Sequence, residues 1–153
     1  MIDYTVEEIN SSNINAIKEI VDESVVNGIK FEQRMWDEWH SGQNCFTKKG
    51  EKLIGLFHNG ECFAVGGIQV DPYITDNDGS IGRVRNIYVK EGFRKQGFPK
   101  IILDLLMSHG KNYFKTIGLS TTNPIAKSMY ESYGFVKNGE EKNGRQEYIL
   151  NLQ

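Results

Sequence analysis

Only two cysteines, Cys45 and Cys62, occur in the 153 residues, and they stand in no metal-ligand spacing. That scarcity argues against a zinc site and against a disulfide framework, and no metal is expected. No apolar run approaches the roughly 20 residues that a membrane helix needs, so no membrane partner is expected. The first residues, Met1-Ile2-Asp3-Tyr4, lack both the basic flank and the apolar stretch of a secretion signal. A cytoplasmic protein with reduced thiols is the expectation. Strong charge is missing too. At a net charge of -2 the chain lacks the basicity of proteins that grip nucleic acid, and no such partner is expected. Neither Gly-x-x-x-x-Gly-Lys-Ser/Thr nor Gly-x-Gly-x-x-Gly occurs, which sets aside the common nucleotide-binding loops.

What is present is an ordinary globular composition, 39% hydrophobic and 25% charged. The length suits a single domain, residues 1–153, with one sizeable core. Charge is unevenly spread along it. Between positions 83 and 100, Arg83, Arg85, Lys90, Arg94, Lys95 and Lys100 stand against one acid, Glu91. The first 43 residues reverse the balance: Asp3, Glu7, Glu8, Glu19, Asp22, Glu23, Glu32, Asp37 and Glu38 against Lys18, Lys30 and Arg34. A compact basic patch suits a polyanionic ligand, and an acidic region attracts a cationic amine. For the acidic half, chance variation among solvated faces is the plainer reading.

Periodicity orders the elements. Residues 2–8 read as a strand, after which Ser12 or Asn13 caps a helix with Ile14, Ile17, Val21 and Val25 on one face. Past Asn27-Gly28, a short helix over 31–39 carries Met35 and Trp36. Residues 53–57 and 61–70 read as strands joined by His58-Asn59-Gly60-Glu61, where Asn-Gly is a strong hairpin signal. A polar loop over 71–79 precedes a strand over 81–89. A helix over 99–111, a strand over 116–120, a helix over 123–133 and strands over 135–138 and 146–152 complete the chain.

Two segments carry the chemistry. Arg94-Lys95-Gln96-Gly97-Phe98-Pro99-Lys100 separates the apolar strand from a helix in which Ile101, Ile102, Leu105 and Leu106 recur at helical spacing. The first N–H groups of a helix have no internal partners, and the dipole adds positive potential, so such a junction can cradle phosphate. Gly97 lets a ligand approach the backbone where a side chain would block it. Many ordinary strand-to-helix turns share this pattern. The second segment runs from Asn123 to Phe135, with Asn123 suited to the N-cap, Pro124 to the first helical position and Gly134 to the left-handed residue beyond the end. Together the two segments resemble the GNAT superfamily of acyl-CoA-dependent N-acetyltransferases. Its phosphate loop, Gln/Arg-x-x-Gly-x-Gly/Ala, is matched by Arg94, Gly97 and position 99. Its second motif, Asn-x-x-Ala-x-x-Leu-Tyr-x-x-x-Gly-Phe, is matched by Asn123, Ala126, Met129 in place of Leu, Tyr130, Gly134 and Phe135. The resemblance is specific over 81–135 and topological elsewhere.

The resemblance implies an α/β (α+β) fold, a mixed and mostly antiparallel sheet flanked by helices, with acetyl-CoA as cosubstrate and an amine of a small molecule or peptide as acceptor. It places the pantetheine arm along the backbone of Ile87, Tyr88 and Val89, with the Val89 N–H as oxyanion donor, typically worth ~3 kcal/mol of barrier. The pyrophosphate would rest on the amides of Gln96, Gly97 and Phe98, with Arg94, Lys95 and Lys100 as charge partners. Pro99 stands where Gly or Ala is usual and has no N–H to donate, which predicts weaker cofactor binding. Asn123 and Ala126 flank the pantetheine, and Asn123 would hydrogen-bond its amides. Tyr130 is the implied general acid, since a phenol near ~10 can donate to a thiolate near ~8.5. A local packing role for Tyr130 is the alternative. Many family members carry a Glu base on the strand where this chain has Arg83, a cation unable to serve. Glu32, Asp37, His40, Asp71 and solvent stay open as the base, while His40, His58 and His109 read better as surface or helix-end residues. Arg83 and Arg85 suit an acidic group on the acceptor or plain solvation. The acceptor would lie between the first two helices, around residues 27–36, and the closing strands, with Phe31, Trp36 and Trp39 as candidate lining, although core packing is the commoner fate of such residues. A homodimer through the carboxy-terminal strands is a further expectation, and a non-catalytic acyl-CoA sensor is the competing function.

Overall fold

The computed structural model describes residues 2–152. Its strands are β1 (Thr5–Glu8), β2 (Lys52–His58), β3 (Glu61–Val70), β4 (Ile81–Val89), β5 (Thr116–Thr121), β6 (Val136–Lys137) and β7 (Gln146–Asn151). The helices are α1 (Lys18–Val26), α2 (Phe31–Ser41), α3 (Phe98–Gly110) and α4 (Pro124–Tyr133), with 3-10 turns at Ile14–Ile17 and Glu91–Phe93. The strands form one seven-stranded sheet in the order β1-β2-β3-β4-β5-β7-β6. Every pairing is antiparallel except β4 with β5. The expected order of elements and the mixed, mostly antiparallel sheet are both found.

Strand alternation sends side chains to two cores. Leu53 and Phe57 of β2 join Ile9, Ile17, Ile20, Val21, Met35 and Val65 in one, beneath α1 and α2. Ile54 and Leu56 join Ile68, Phe98, Ile102, Leu103, Leu106, Tyr130 and Tyr148 in the other, beneath α3 and α4. The second core is closed tightly at Gly66 of β3, where an added Cβ would stand 2.3 Å from Ile102 Cγ2. Cys62 is sealed in the first core, and burial pushes its thiol up to about 12.

Two expectations for the first helix fail. Neither Ser12 nor Asn13 caps it, because the Asn13 amide is already used: its Oδ1 accepts from Asn10 N at 2.7 Å and its Nδ2 donates to Glu8 O at 3.0 Å. The segment begins as a 3-10 turn before becoming α-helical at Lys18, and the tighter winding shifts the phase of its apolar face. Ile20 is therefore buried where Val25, half exposed, was expected. β1 is also shorter than expected, beginning at Thr5. The Asn59-Gly60 hairpin forms as expected, with φ of 51° and 82°.

Candidate functional site

The sheet splits at its centre. β4 and β5 pair only at Ile81↔Thr116, Gly82↔Ile117 and Arg83↔Gly118. Past Arg83, no residue of β4 pairs with β5 among the described residues, and a cleft opens between two parallel strands. The register of β4 against β3 shifts in the same stretch: Val65 faces Tyr88 but Gly67 faces Arg85. The extra residue lies at a bulge where Asn86 takes a φ of 63°. Asn86 is tied down on all sides, since Nδ2 donates to Phe31 O at 3.1 Å and to Glu32 Oε1 at 3.4 Å, and Oδ1 accepts from Arg85 Nε at 2.6 Å. Sequence reasoning passed over Asn86, and an Asn inside an apolar strand was the signal that could have found it.

Beyond the bulge, backbone alternation sets which groups face the cleft. Lys90 N donates to Phe63 O at 2.9 Å. The Val89–Ala64 pair beside it is then a non-hydrogen-bonded one, and Val89 turns its N–H away from β3 toward the cleft. Its carbonyl, on the same side, accepts from Arg94 Nε at 2.9 Å. Arg94 also lies over the Tyr88 ring, 5.4 Å from its centroid. The Tyr88 side chain itself points to α1, donating to Glu23 Oε2 at 2.6 Å, and its backbone N–H and C=O, one residue before Val89, turn toward Val65 of β3 and away from the cleft. Ile87 is half-buried against the core under α3.

The loop into α3 is shaped by two left-handed residues, Lys95 at φ 65° and Gly97 at φ 83°. Gly97 is the N-cap residue, no side chain caps the helix, and open space surrounds its Cα. Among the described residues, the N–H groups of Gln96, Gly97, Phe98 and Lys100 donate to no protein acceptor. Phe98 buries its ring against Phe63 and Tyr4, leaving only its amide at the turn. Pro99 sits in the first turn of α3, as its sequence position suggested. The Lys100 ammonium lies against Asp104 at 3.1 Å, one helical turn away on the exposed flank.

α4 borders the opposite wall. Asn123 caps it through Oδ1, which accepts from Ile125 N at 2.8 Å and Ala126 N at 3.3 Å. Its acceptor is thus committed, and only Nδ2 remains for a ligand. Ala126 is half-buried against the core. Tyr130 packs its ring against Phe135 and Tyr148, at centroid distances of 5.9 and 6.3 Å. Its hydroxyl has no protein partner among the described residues, which leaves the local packing reading incomplete. Burial pushes that hydroxyl up to about 12, above the ordinary phenol value.

The lower half of the cleft holds a cavity of about 370 Å³ whose walls come from Phe31 and Arg34 of α2, Tyr73, Arg83 to Asn86 of β4, Ser120 of β5, and Arg145 and Glu147 at β7. Arg83, the residue in the usual Glu place, is buried and spans it, with Nη1 3.3 Å from Asp71 Oδ2 and Nη2 2.9 Å from Glu147 Oε1. It also reaches Ser120 Oγ at 3.3 Å. This guanidinium therefore pins β5 and β7 to β4 where the strands part. Of the open candidates for the base, Asp71 is held by Arg83, Asp37 is exposed and bonded to Gln33, and His40 is bonded through Nδ1 to the Trp36 carbonyl at 2.9 Å. Glu32 is different: it is 2% exposed, behind Asn86 in the cavity wall, and burial raises its carboxyl to about 7. Phe31 lines the cavity, whereas Trp36 and Trp39 pack against the core beneath α1 and α2.

Residues 14–135 match the profile of the acetyltransferase (GNAT) family. No curated protein matches the chain at a significant level. Among solved structures, a protein of Exiguobacterium sp. 255-15 assigned as an acetyltransferase superposes with a TM-score of 0.80 at 21% identity, over 98% of this chain and 94% of that one. An acetyltransferase assignment also attaches to a Salmonella typhimurium protein solved with acetyl-CoA, at a TM-score of 0.76 and 14% identity, over 99% and 95% of the two chains. A phosphinothricin acetyltransferase from Sinorhizobium meliloti in complex with acetyl-CoA gives a TM-score of 0.76 at 17% identity, over 97% and 88%. At these identities the structural likenesses establish the fold.

Proposed function

The chain belongs to the acetyltransferase (GNAT) family, and from that premise we propose that it moves an acetyl group from acetyl-CoA to a primary amine of a small molecule or peptide. The observation that carries the reading is the split between β4 and β5, with the Val89 N–H turned toward it; an uncapped start of α3 and a Tyr130 hydroxyl without a protein partner among the described residues support it. Two similar structures contain acetyl-CoA, and the residues here fit it. Free amides at Gln96, Gly97, Phe98 and Lys100, with Arg94 and Lys95 beside them, would hold the pyrophosphate. Backbone groups of Ile87 and Val89 would hold the pantetheine as an added strand, with the Asn123 amide and Ala126 on the far side.

The thioester supplies an acyl carbon activated toward an amine. Around it, the chain's work is electrostatic. The Val89 N–H is fixed in direction by the sheet and would donate to the oxyanion without reorganising. Glu32, titrating near neutrality, is our choice for the group that takes the amine proton, through one water past Asn86. Tyr130 stays protonated at every physiological pH. With its hydroxyl near 12 and a thiolate near ~8.5, complete transfer stays uphill by roughly 5 kcal/mol even to a fully charged sulfur. Tyr130 thus acts as a hydrogen-bond donor to the departing sulfur, and the thiolate takes its proton from solvent on release.

Incubation with acetyl-CoA and a panel of polyamines, amino acids, aminoglycosides and short peptides tests this, with thiol release as the readout. Amine-dependent release is expected. Tight acetyl-CoA binding with no release by any amine would instead mark a non-catalytic sensor.

A further inference from the structure

We propose that the acceptor is an acidic amine of the amino-acid class, its carboxylate bound in the lower cleft by Arg145 with Arg34. The inference rests on the acyl-transfer reading and deepens it by naming the substrate. Four guanidinium groups, those of Arg34, Arg83, Arg85 and Arg145, border the 370 Å³ cavity, against a single carboxylate, Glu147. Two of the four are already neutralised. Arg83 is held between Asp71 and Glu147, and Arg85 lies 3.5 Å from Glu38 while also bonding Asn86 and Gln69. Arg34 and Arg145 have no carboxylate within ion-pair distance among the described residues.

Arg145 is the better organised of these two. It is half-buried, its Nη1 donates to Ser120 Oγ at 3.1 Å, and its guanidinium carbon lies 5.1 Å from the centre of the Phe31 ring. The hydroxyl and the ring fix the plane of the fork without supplying negative charge. A half-desolvated cation held in this way keeps donors for an incoming oxyanion, and a carboxylate matches the fork bidentately. The cavity has the volume of a small molecule. It runs from Arg145 and Ser120 on one side to Asn86, with Glu32 behind it, on the other. A molecule whose carboxylate met Arg145 would direct an amine a few bonds away toward the bulge. Polycations such as polyamines and aminoglycosides face net repulsion from the same walls.

The test compares L-amino acids with their own α-carboxamides as acceptors, with wild-type protein and with Arg145→Gln and Arg145→Lys. The wild type is expected to prefer the acids in kcat/KM. Arg145→Gln should lose about 10- to 100-fold on the acids with little change on the amides. Arg145→Lys should recover part of that loss, and the KM for acetyl-CoA should stay put in both. A second arm measures binding of the corresponding N-acetyl-L-amino acids to the CoA-loaded protein by calorimetry, which needs no turnover. Binding that falls in Arg145→Gln supports the anion site even where no amine is acetylated, and that second failure would count against acyl transfer alone. Equal use of acids and amides, or equal binding to wild type and Arg145→Gln, overturns the proposal.

Discussion

The two ends of the central cleft are built on different principles. The upper end, from Ile87 to Lys100 with Tyr130 opposite, is made chiefly of backbone: a sheet N–H at Val89 and the uncapped first turn of α3. The lower end is made of side chains, with Arg83, Asp71 and Glu147 locked together and Arg34 and Arg145 left over. Backbone donors serve any ligand of the right shape and charge, so the upper end suits a cosubstrate shared across a family. Side chains from separate elements can be exchanged one at a time, so the proposed acceptor preference is assigned to the lower end.

Breaking the lower end should cost most. Arg83→Leu leaves Asp71, 4% exposed, without its cation. Loss of about 3 kcal/mol or more is expected by denaturant titration, and an unchanged midpoint would show that the strands do not depend on this guanidinium. Next comes the titration of Glu32. Its folded value, about 7, lies above the unfolded 4.5, so the native state binds the proton more tightly. The associated stability is fully present below about pH 4.5 and is lost as pH rises through 7. Relative to Glu32→Gln, wild type should lose about 3 kcal/mol across that window. Parallel stability curves for the two proteins would refute the buried titration. The wild-type acid limb of kcat/KM, absent in Glu32→Gln, is the kinetic counterpart.

Smaller effects are expected at the upper end, because the backbone cannot be deleted. Tyr130→Phe should lower turnover about 100-fold, roughly 2.7 kcal/mol, with acetyl-CoA affinity nearly intact. Wild-type turnover in that variant would return Tyr130 to a packing role. Pro99→Ala restores one N–H in the first turn of α3 and should tighten acetyl-CoA by about 1 kcal/mol, near fivefold in calorimetry. Unchanged affinity would mean that Lys100 N–H already does this work.

The asymmetry between the ends explains what was readable. Gly97, Pro99, Asn123 and Gly134 are local signals, each tied to a backbone state that its neighbours in sequence specify, and each appears where expected. The order of elements was legible for the same reason, since apolar periodicity is a local property. Misreadings arose where a local group was claimed by a distant one or by a loop. Asn13 serves the β1 loop instead of a helix cap. Trp36 and Trp39 went to the core because the first helix pair needed its seam filled.

The sequence by itself determined the family, the run of strands and helices, and the left-handed turn at Gly97 that opens α3. Each depends on interactions a few residues long. Only the tertiary structure decided that Arg83 is a buried tie instead of a solvated cation, that Glu32 lies behind the bulge with its carboxyl raised to about 7, and that Arg34 and Arg145 are left without a carboxylate among the described residues. Those outcomes depend on which charges from remote elements meet and how much water they lose, and both are set by the folded sheet.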